Sequence, residues 1–116
     1  MERDPRSYLW DMQEAANAIA EFTASMDASG YAESKIVRAA VERQFEIIGE
    51  ALNQLAKRYA ALASRVPDFR DIISFRNLLI EGYAVINHDE VWDTVQTSLP
   101  RLRKAVAALL DELGPL

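Results

Sequence analysis

The sequence predicts an all-helical bundle of four or five helices, and three observations carry that prediction. Apolar residues recur at alternating four- and three-residue spacing along most of the chain, which lines them up on one face of a helix. No segment alternates strongly enough to make a confident strand. Residues that start and stop helices flank the apolar stripes. At 116 residues, half of them hydrophobic, the chain suits one domain, 1–116, with a modest core. It holds no internal repeat and no low-complexity linker.

Taken in order, Asp4 is placed to cap a first helix with Pro5 at its first position, where the missing N–H costs nothing. Tyr8, Met12, Ala15, Ile19, Phe22 and Met26 form its stripe, and Ser29-Gly30 is expected to end it. A second helix starts near Ser34 and carries the most regular stripe, Val41, Phe45, Ile48, Leu52, Leu55, Tyr59 and Leu62. Gly49 inside that helix costs about 1 kcal/mol relative to Ala, so its presence implies close approach of another backbone. Pro67-Asp68 breaks the chain and offers Asp68 as cap of a third, shorter helix with Ile72, Ile73, Phe75 and Leu79, which stops at Gly82. After a connector from Ala84 to His88, Asn87 or Asp89 can cap a fourth helix with Val91, Trp92, Val95 and Leu99. Pro100 is expected to interrupt it, and a last amphipathic piece runs through Leu102, Val106, Leu109 and Leu113 to a carboxyl-terminal cap at Gly114.

Composition excludes several classes of function. Without cysteine there is no disulfide framework or thiolate metal site, and a single His rules out the usual multi-His centres, so neither metal nor cofactor is expected. The amino terminus MERDPRSYLWDMQ has charges and a Pro where a signal peptide needs an apolar run, and no later stretch is apolar enough for a bilayer span. A soluble, cytoplasmic protein is the expectation. The net charge of -5 and pI near 4.8 oppose general nucleic-acid binding, which depends on Lys and Arg displacing phosphate counterions. Any RNA contact must then be local. The basic spots are Lys57 with Arg58, Arg65 and Arg70 around Pro67, and Arg101 with Arg103 and Lys104, each of which reads first as an ordinary solvated helix face or end.

The densest chemistry lies in Arg76-Asn77-Leu78-Leu79-Ile80-Glu81-Gly82-Tyr83, where a guanidinium, an amide, a carboxylate and a phenol occupy eight residues of an otherwise apolar segment. Taken singly, Arg76 reads as a helix-surface ion pair, and Tyr83 as a ring packed with its hydroxyl at the rim. As a group they suit phosphate chemistry, since a guanidinium beside a developing phosphorane charge stabilises phosphoryl transfer. At about 100° per residue Arg76 and Tyr83 share a helix face while Glu81 points roughly 140° from Arg76. One pocket can hold Arg76 and Glu81 only if the helix ends early or a second copy supplies one of them across a two-fold axis. Glu46 and Glu50, four apart on one helix face, read either as solvated acids near Arg43 and Lys57 or as part of a site.

The octet resembles the signature of HEPN-superfamily proteins of the HepT type, with Glu81 where that family has His. Phe45-Glu46-Ile47-Ile48-Gly49-Glu50-Ala51 resembles a second signature of the family. The likeness extends from Arg3-Asp4-Pro5 to Val91-Trp92 and Leu99-Pro100. It implies a HEPN-type bundle forming a two-fold homodimer with a composite cleft at its axis. It also implies metal-independent RNA cleavage, in which Arg76 holds phosphate, Asn77 supports it and Glu81 takes the place of the catalytic imidazole. His serves proton transfer because both of its protonation states are present near neutrality, whereas a glutamate, with a reference pKa of about 4.3, accepts a proton there but does not donate one. The exchange therefore implies a weakened or abolished nuclease. His88, the one imidazole, is a candidate substitute base, though a His beside a helix start is more often a connector or capping residue. In HepT-type pairs the residue matching Tyr83 accepts AMP from a nucleotidyltransferase antitoxin, which would make this chain the toxin half of such a pair. The alternatives are a non-catalytic dimer that binds the nucleotidyltransferase or serves as its substrate, and a purely structural helical dimer.

Overall fold

The computed structural model describes residues 3–115, apart from the side chain of Tyr83. Asp4 caps the first helix, α1 (Pro5–Thr23), as its sequence position requires. Its Oδ1 accepts from the Arg6 backbone N–H at 2.9 Å, and the Arg6 guanidinium donates to both of its carboxylate oxygens. Those bonds to Arg6 hold the Asp4 carboxyl at about 2, below its ordinary 3.8. Leu9, Met12, Ala15, Ala16 and Ile19 are buried along α1. Past Ile19 the buried position falls on Thr23, the last residue of α1, and Phe22 is exposed.

A short helix, α2 (Ala28–Glu33), follows where a turn was expected. Asp27 starts it by accepting from the Gly30 N–H at 2.7 Å, so Ser29-Gly30 lies inside a helix and ends none. What holds this turn is Tyr31, fully buried with its ring 5.5 Å from that of Trp92. Ser34 then caps α3 (Lys35–Arg58), which buries Val41, Phe45, Ile48, Leu52 and Leu55. The helix stops four residues short of Leu62, because Tyr59 turns to φ -138°, ψ 60° while its hydroxyl donates to the Arg3 carbonyl at 3.0 Å. Leu62 falls instead in α4 (Ala60–Ala63).

Asp68 stands at the start of α5 (Phe69–Glu81) but makes no side-chain cap. Its backbone is left-handed, φ 60°, and its carboxylate is 2.7 Å from Arg101 of the last helix. Gly82 ends α5 as expected, and a 3-10 turn, Tyr83–Val85, leads to α6 (His88–Leu113). Asn87 caps α6 by accepting from the Asp89 and Glu90 N–H groups. Pro100 does not interrupt it. A Pro inside a helix typically costs about 3 kcal/mol, but Pro100 and Gln96, whose carbonyl loses its partner, lie on the exposed side. Leu99, Leu102 and Val106 on the buried side keep the two halves on one axis. The expected fourth and last helices are one.

The architecture is all-helical, with six α-helices and one 3-10 turn among the described residues. α1 packs between α3 and α6, α2 bridges α3 and α6, and α5 lies along α3 on the flank that α1 leaves open. No described helix is long and apolar enough to cross a membrane.

The lowered Asp4 pKa carries a sign. A carboxyl whose folded pKa lies below its unfolded value stabilises the fold above the unfolded value, and that stabilisation fades as pH falls from about 4 towards 2. Asn at position 4 keeps the cap without the charge. Urea midpoints of the Asp4→Asn chain should therefore fall less between those pH values than those of the unaltered protein, and the difference should shrink in high salt.

Candidate functional site

The site is built where α5 crosses α3 at Gly49. A Cβ added to Gly49 would lie far inside contact distance of the Arg76 Cβ, 2.6 Å from its Cγ and 3.5 Å from the Ile72 carbonyl oxygen. The glycine does mark a close approach, and what fills the space is the stem of an arginine as well as a backbone. A few residues further along the crossing, Phe45 and Phe75 meet edge to face at 5.2 Å. This apolar contact sets the depth of α5 against α3 and so the height at which Arg76 emerges.

Arg76 is a quarter exposed. One terminal nitrogen donates to Glu50 Oε2 at 2.5 Å and the other to Asn77 Oδ1 at 2.8 Å. Its Nε is buried without a hydrogen-bond partner. Glu50 is held in turn by Gln54, whose Nε2 donates to Oε1 at 3.1 Å. Beside this cluster runs a groove of about 470 Å³ between α1, α3 and α5, floored by Tyr8, Ile47 and Ala51 and reaching Ile80. Arg3 and Arg43 also line it. Both meet carboxylates, Arg3 pairing with Asp11 at 2.9 Å over the Tyr8 ring and Arg43 lying 3.7 Å from Glu46. The groove thus sets cations and anions alternately, and an anionic ligand would enter it only against the acids' repulsion or along the free N–H edges of the arginines.

Of the residues singled out from the sequence, Arg76 and Asn77 come together, and Glu50 joins them from another helix. Glu81 does not. The helix continues through Glu81, which is exposed on a different face and does not line the groove. The guanidinium's ion pair goes to Glu50. Tyr83 begins the 3-10 turn one residue past the end of α5, and its phenol lies outside the described residues. His88 opens α6 away from the groove, with Nδ1 buried and unpartnered. It lies within electrostatic reach of Glu42, whose carboxyl burial pushes up while His88 and Arg38 pull it down.

Sequence reasoning placed Arg43 beside the acids, as found, but missed the Arg76–Glu50 pair and the approach of Arg3 to the same groove. The signal was present in part, since a glycine adjoining a glutamate inside a long helix asks what approaches there. Only the crossing of α5 supplies the answer. Arg65, read as a solvated basic residue, pairs with Glu112 at 2.6 Å on an exposed surface, and Arg103 donates to Asn17 at 3.1 Å.

An all-helical bundle whose arginine-asparagine pair is seated on a glycine-glutamate step of the neighbouring helix has the form of a HEPN-type ribonuclease domain. The chain belongs to the HepT-like ribonuclease family, since the family model described as "Ribonuclease HepT-like" matches residues 12–109. A protein of Methanocaldococcus jannaschii provisionally named an RNase is 34% identical over 104 residues, covering 90% of this chain and 94% of that protein. One of Thermococcus cleftensis, provisionally named ribonuclease HepT, is 32% identical over 103 residues, 89% of this chain and 93% of its own. A third, of Caldanaerobacter subterraneus and also provisionally named an RNase, is 28% identical over 110 residues, 95% and 97% of the two chains. No solved structure matches the chain.

A methyl group at position 49 tests the crossing directly. Gly49→Ala gains about 1 kcal/mol of helix propensity but overpacks against the near end of the Arg76 side chain, a type of change that costs about 1–3 kcal/mol. The expected net effect is a thermal midpoint lowered by several degrees, read by circular dichroism.

Proposed function

We propose that this chain is the toxin component of a toxin-antitoxin pair. In this reading it is a two-fold homodimer acting in the cytoplasm, whose Arg76 grooves address RNA and whose Tyr83 accepts AMP from a partner nucleotidyltransferase antitoxin. The observation that carries the reading is the seating of Arg76. Its stem is packed and its head is held, and it lines a groove of about 470 Å³ shared with Arg3 and Arg43. The names of the relatives support RNA as the substrate class.

The orientation of Glu81 supports the two-fold arrangement. Arg76 and Glu81 lie on different faces of an unbroken α5, so one subunit cannot aim both at the same phosphate. A second copy related by a two-fold axis through the exposed face of α5 would set one subunit's Glu81 against the other's Arg76. Leu78, Ile80 and Val85 are large apolar side chains left exposed around that end of the helix, as a surface awaiting a copy would be.

Cleavage in this reading begins with attack of a ribose 2'-hydroxyl on the adjacent phosphorus. Arg76 neutralises charge on the phosphoryl oxygens, and Asn77 keeps the guanidinium in place. Glu81 stands where the family's imidazole moves the proton, and a carboxylate there can take the hydroxyl proton but is poorly suited to return one to the leaving oxygen. It also repels the phosphate. The result is a nuclease weakened at its base position. A second reading, a non-catalytic dimer that binds or is modified by the nucleotidyltransferase, draws support from the same substitution and from the carboxylate already paired with Arg76.

Cleavage of RNA by the purified chain should be slow and should rise on Glu81→His by about 10²-fold or more, within the range a positioned general acid-base contributes. Adding Arg76→Ala to that variant should abolish it. Cleavage seen only after Glu81→His would favour the non-catalytic reading, and cleavage surviving Arg76→Ala would remove this groove from the reaction.

The partner step has its own readout. Incubated with ATP and the nucleotidyltransferase encoded beside it, the chain should gain mass in AMP-sized steps, and Tyr83→Phe should not. A gain that persists in Tyr83→Phe places the acceptor elsewhere.

A further inference from the structure

Arg76 has five N–H groups, and the structure accounts for three of them. One on each terminal nitrogen is bound, to Glu50 and to Asn77, and the Nε–H is shut into the slot between α3 and α5. The second hydrogen on each terminal nitrogen remains, and these are the donors left to meet a phosphate. Which way they point is decided by the plane of the guanidinium, and two contacts on separate nitrogens fix a plane where one would leave it free to rotate.

We propose that Glu50 is a positioning residue for Arg76: it fixes the guanidinium plane so that the remaining N–H donors are presented to a substrate phosphate. The proposal rests on the reading of Arg76 as the phosphate-holding group. Three features favour positioning over competition for the same cation. The base of the Arg76 stem is packed on α3, in the space a Cβ at Gly49 would need. The carboxylate is itself oriented, its other oxygen accepting from Gln54 one turn further along α3, so Gln54, Glu50, Arg76 and Asn77 form one continuous chain of hydrogen bonds. Glu50 is also about half exposed, 47%, so water screens its charge from an incoming phosphate while its hydrogen bond persists. A carboxylate that acted as a rival anion would have to release the arginine before substrate bound. Preorganised donors of this kind need no reorganisation when charge develops on the substrate.

Three substitutions separate geometry from charge. Glu50→Gln keeps an acceptor oxygen at the same reach without the charge, Glu50→Asp keeps the charge one methylene short, and Glu50→Ala removes both. Because the position lies partly exposed on a helix, thermal midpoints serve as the check that each variant folds. The direct readout is the Arg76 Nε–H signal in nitrogen-resolved proton spectra, assigned by its loss in Arg76→Lys. Exchange of that proton with solvent should quicken by about tenfold or more in Glu50→Ala and Glu50→Asp and stay near the original in Glu50→Gln.

In the Glu81→His background, Glu50→Ala should lower kcat for RNA about 10- to 100-fold with KM unchanged or reduced, while Glu50→Gln stays within about threefold. Unaltered exchange in Glu50→Ala, or faster cleavage once the carboxylate is gone, overturns the proposal. If Glu81→His itself cleaves nothing, the nuclease reading falls. The exchange pattern across the three variants then still decides whether Glu50 holds the guanidinium.

Discussion

The crossing of α5 over α3 at Gly49 is the contact on which the rest of this molecule's chemistry depends. It is a steric constraint before it is anything else, because a helix residue with no side chain lets an arginine stem lie where a Cβ would otherwise stand. The cost of a glycine in the middle of a 24-residue helix is offset by the packing this close approach allows. Arg76 is thereby brought to Glu50 on α3, which pairs with it while it is three-quarters covered. A long, flexible cation becomes a fixed one, and a fixed cation is what distinguishes a recognition element from an ordinary surface charge.

Electrostatically the groove beside that crossing is guarded. Arg3, Arg43 and Arg76 each face a carboxylate, which fits a chain of net charge -5. Attraction of RNA from a distance is weak under those conditions, because the long-range field of a net negative protein opposes a polyanion. In the proposed reading selectivity comes from contact geometry, through the remaining donors of the Arg76 guanidinium and the shape of the groove. An arginine with a planar, forked set of donors meets that demand better than a lysine, whose charge is compact and whose stem is mobile.

In three places where the chain departs from the pattern its sequence predicts, tertiary contact is the cause. Pro100 should end a helix, yet Leu99 and Leu102 on either side of it are both buried and hold α6 on a single axis. Ser29-Gly30 should be a turn, yet Tyr31 anchors a further turn of helix by packing on Trp92, a residue 61 positions away in sequence. Asp68 has the identity and position of a cap but gives its carboxylate to Arg101. In all three cases a local preference of a few kcal/mol or less is outweighed by contacts between residues distant in the chain. By contrast the caps at Asp4, Ser34 and Asn87 form as their positions predict, since each acts within three residues of itself.

The sequence by itself determined the helical class, the family, the identity of the Arg76-Asn77 pair and the substitution at position 81. Each of these is a matter of residue type and short-range spacing, which a linear text carries in full. It also marked Gly49 as a place of close approach without naming what approaches. Only the tertiary structure decided that Glu50 is the partner of Arg76, that α5 runs unbroken through Glu81, and that Arg3 and Arg43 line one groove. A carboxylate at position 50 and a guanidinium at position 76 are joined by the packing of two helices, and the outcome of that packing depends on the whole buried surface of α3 and α5, which no local pattern specifies.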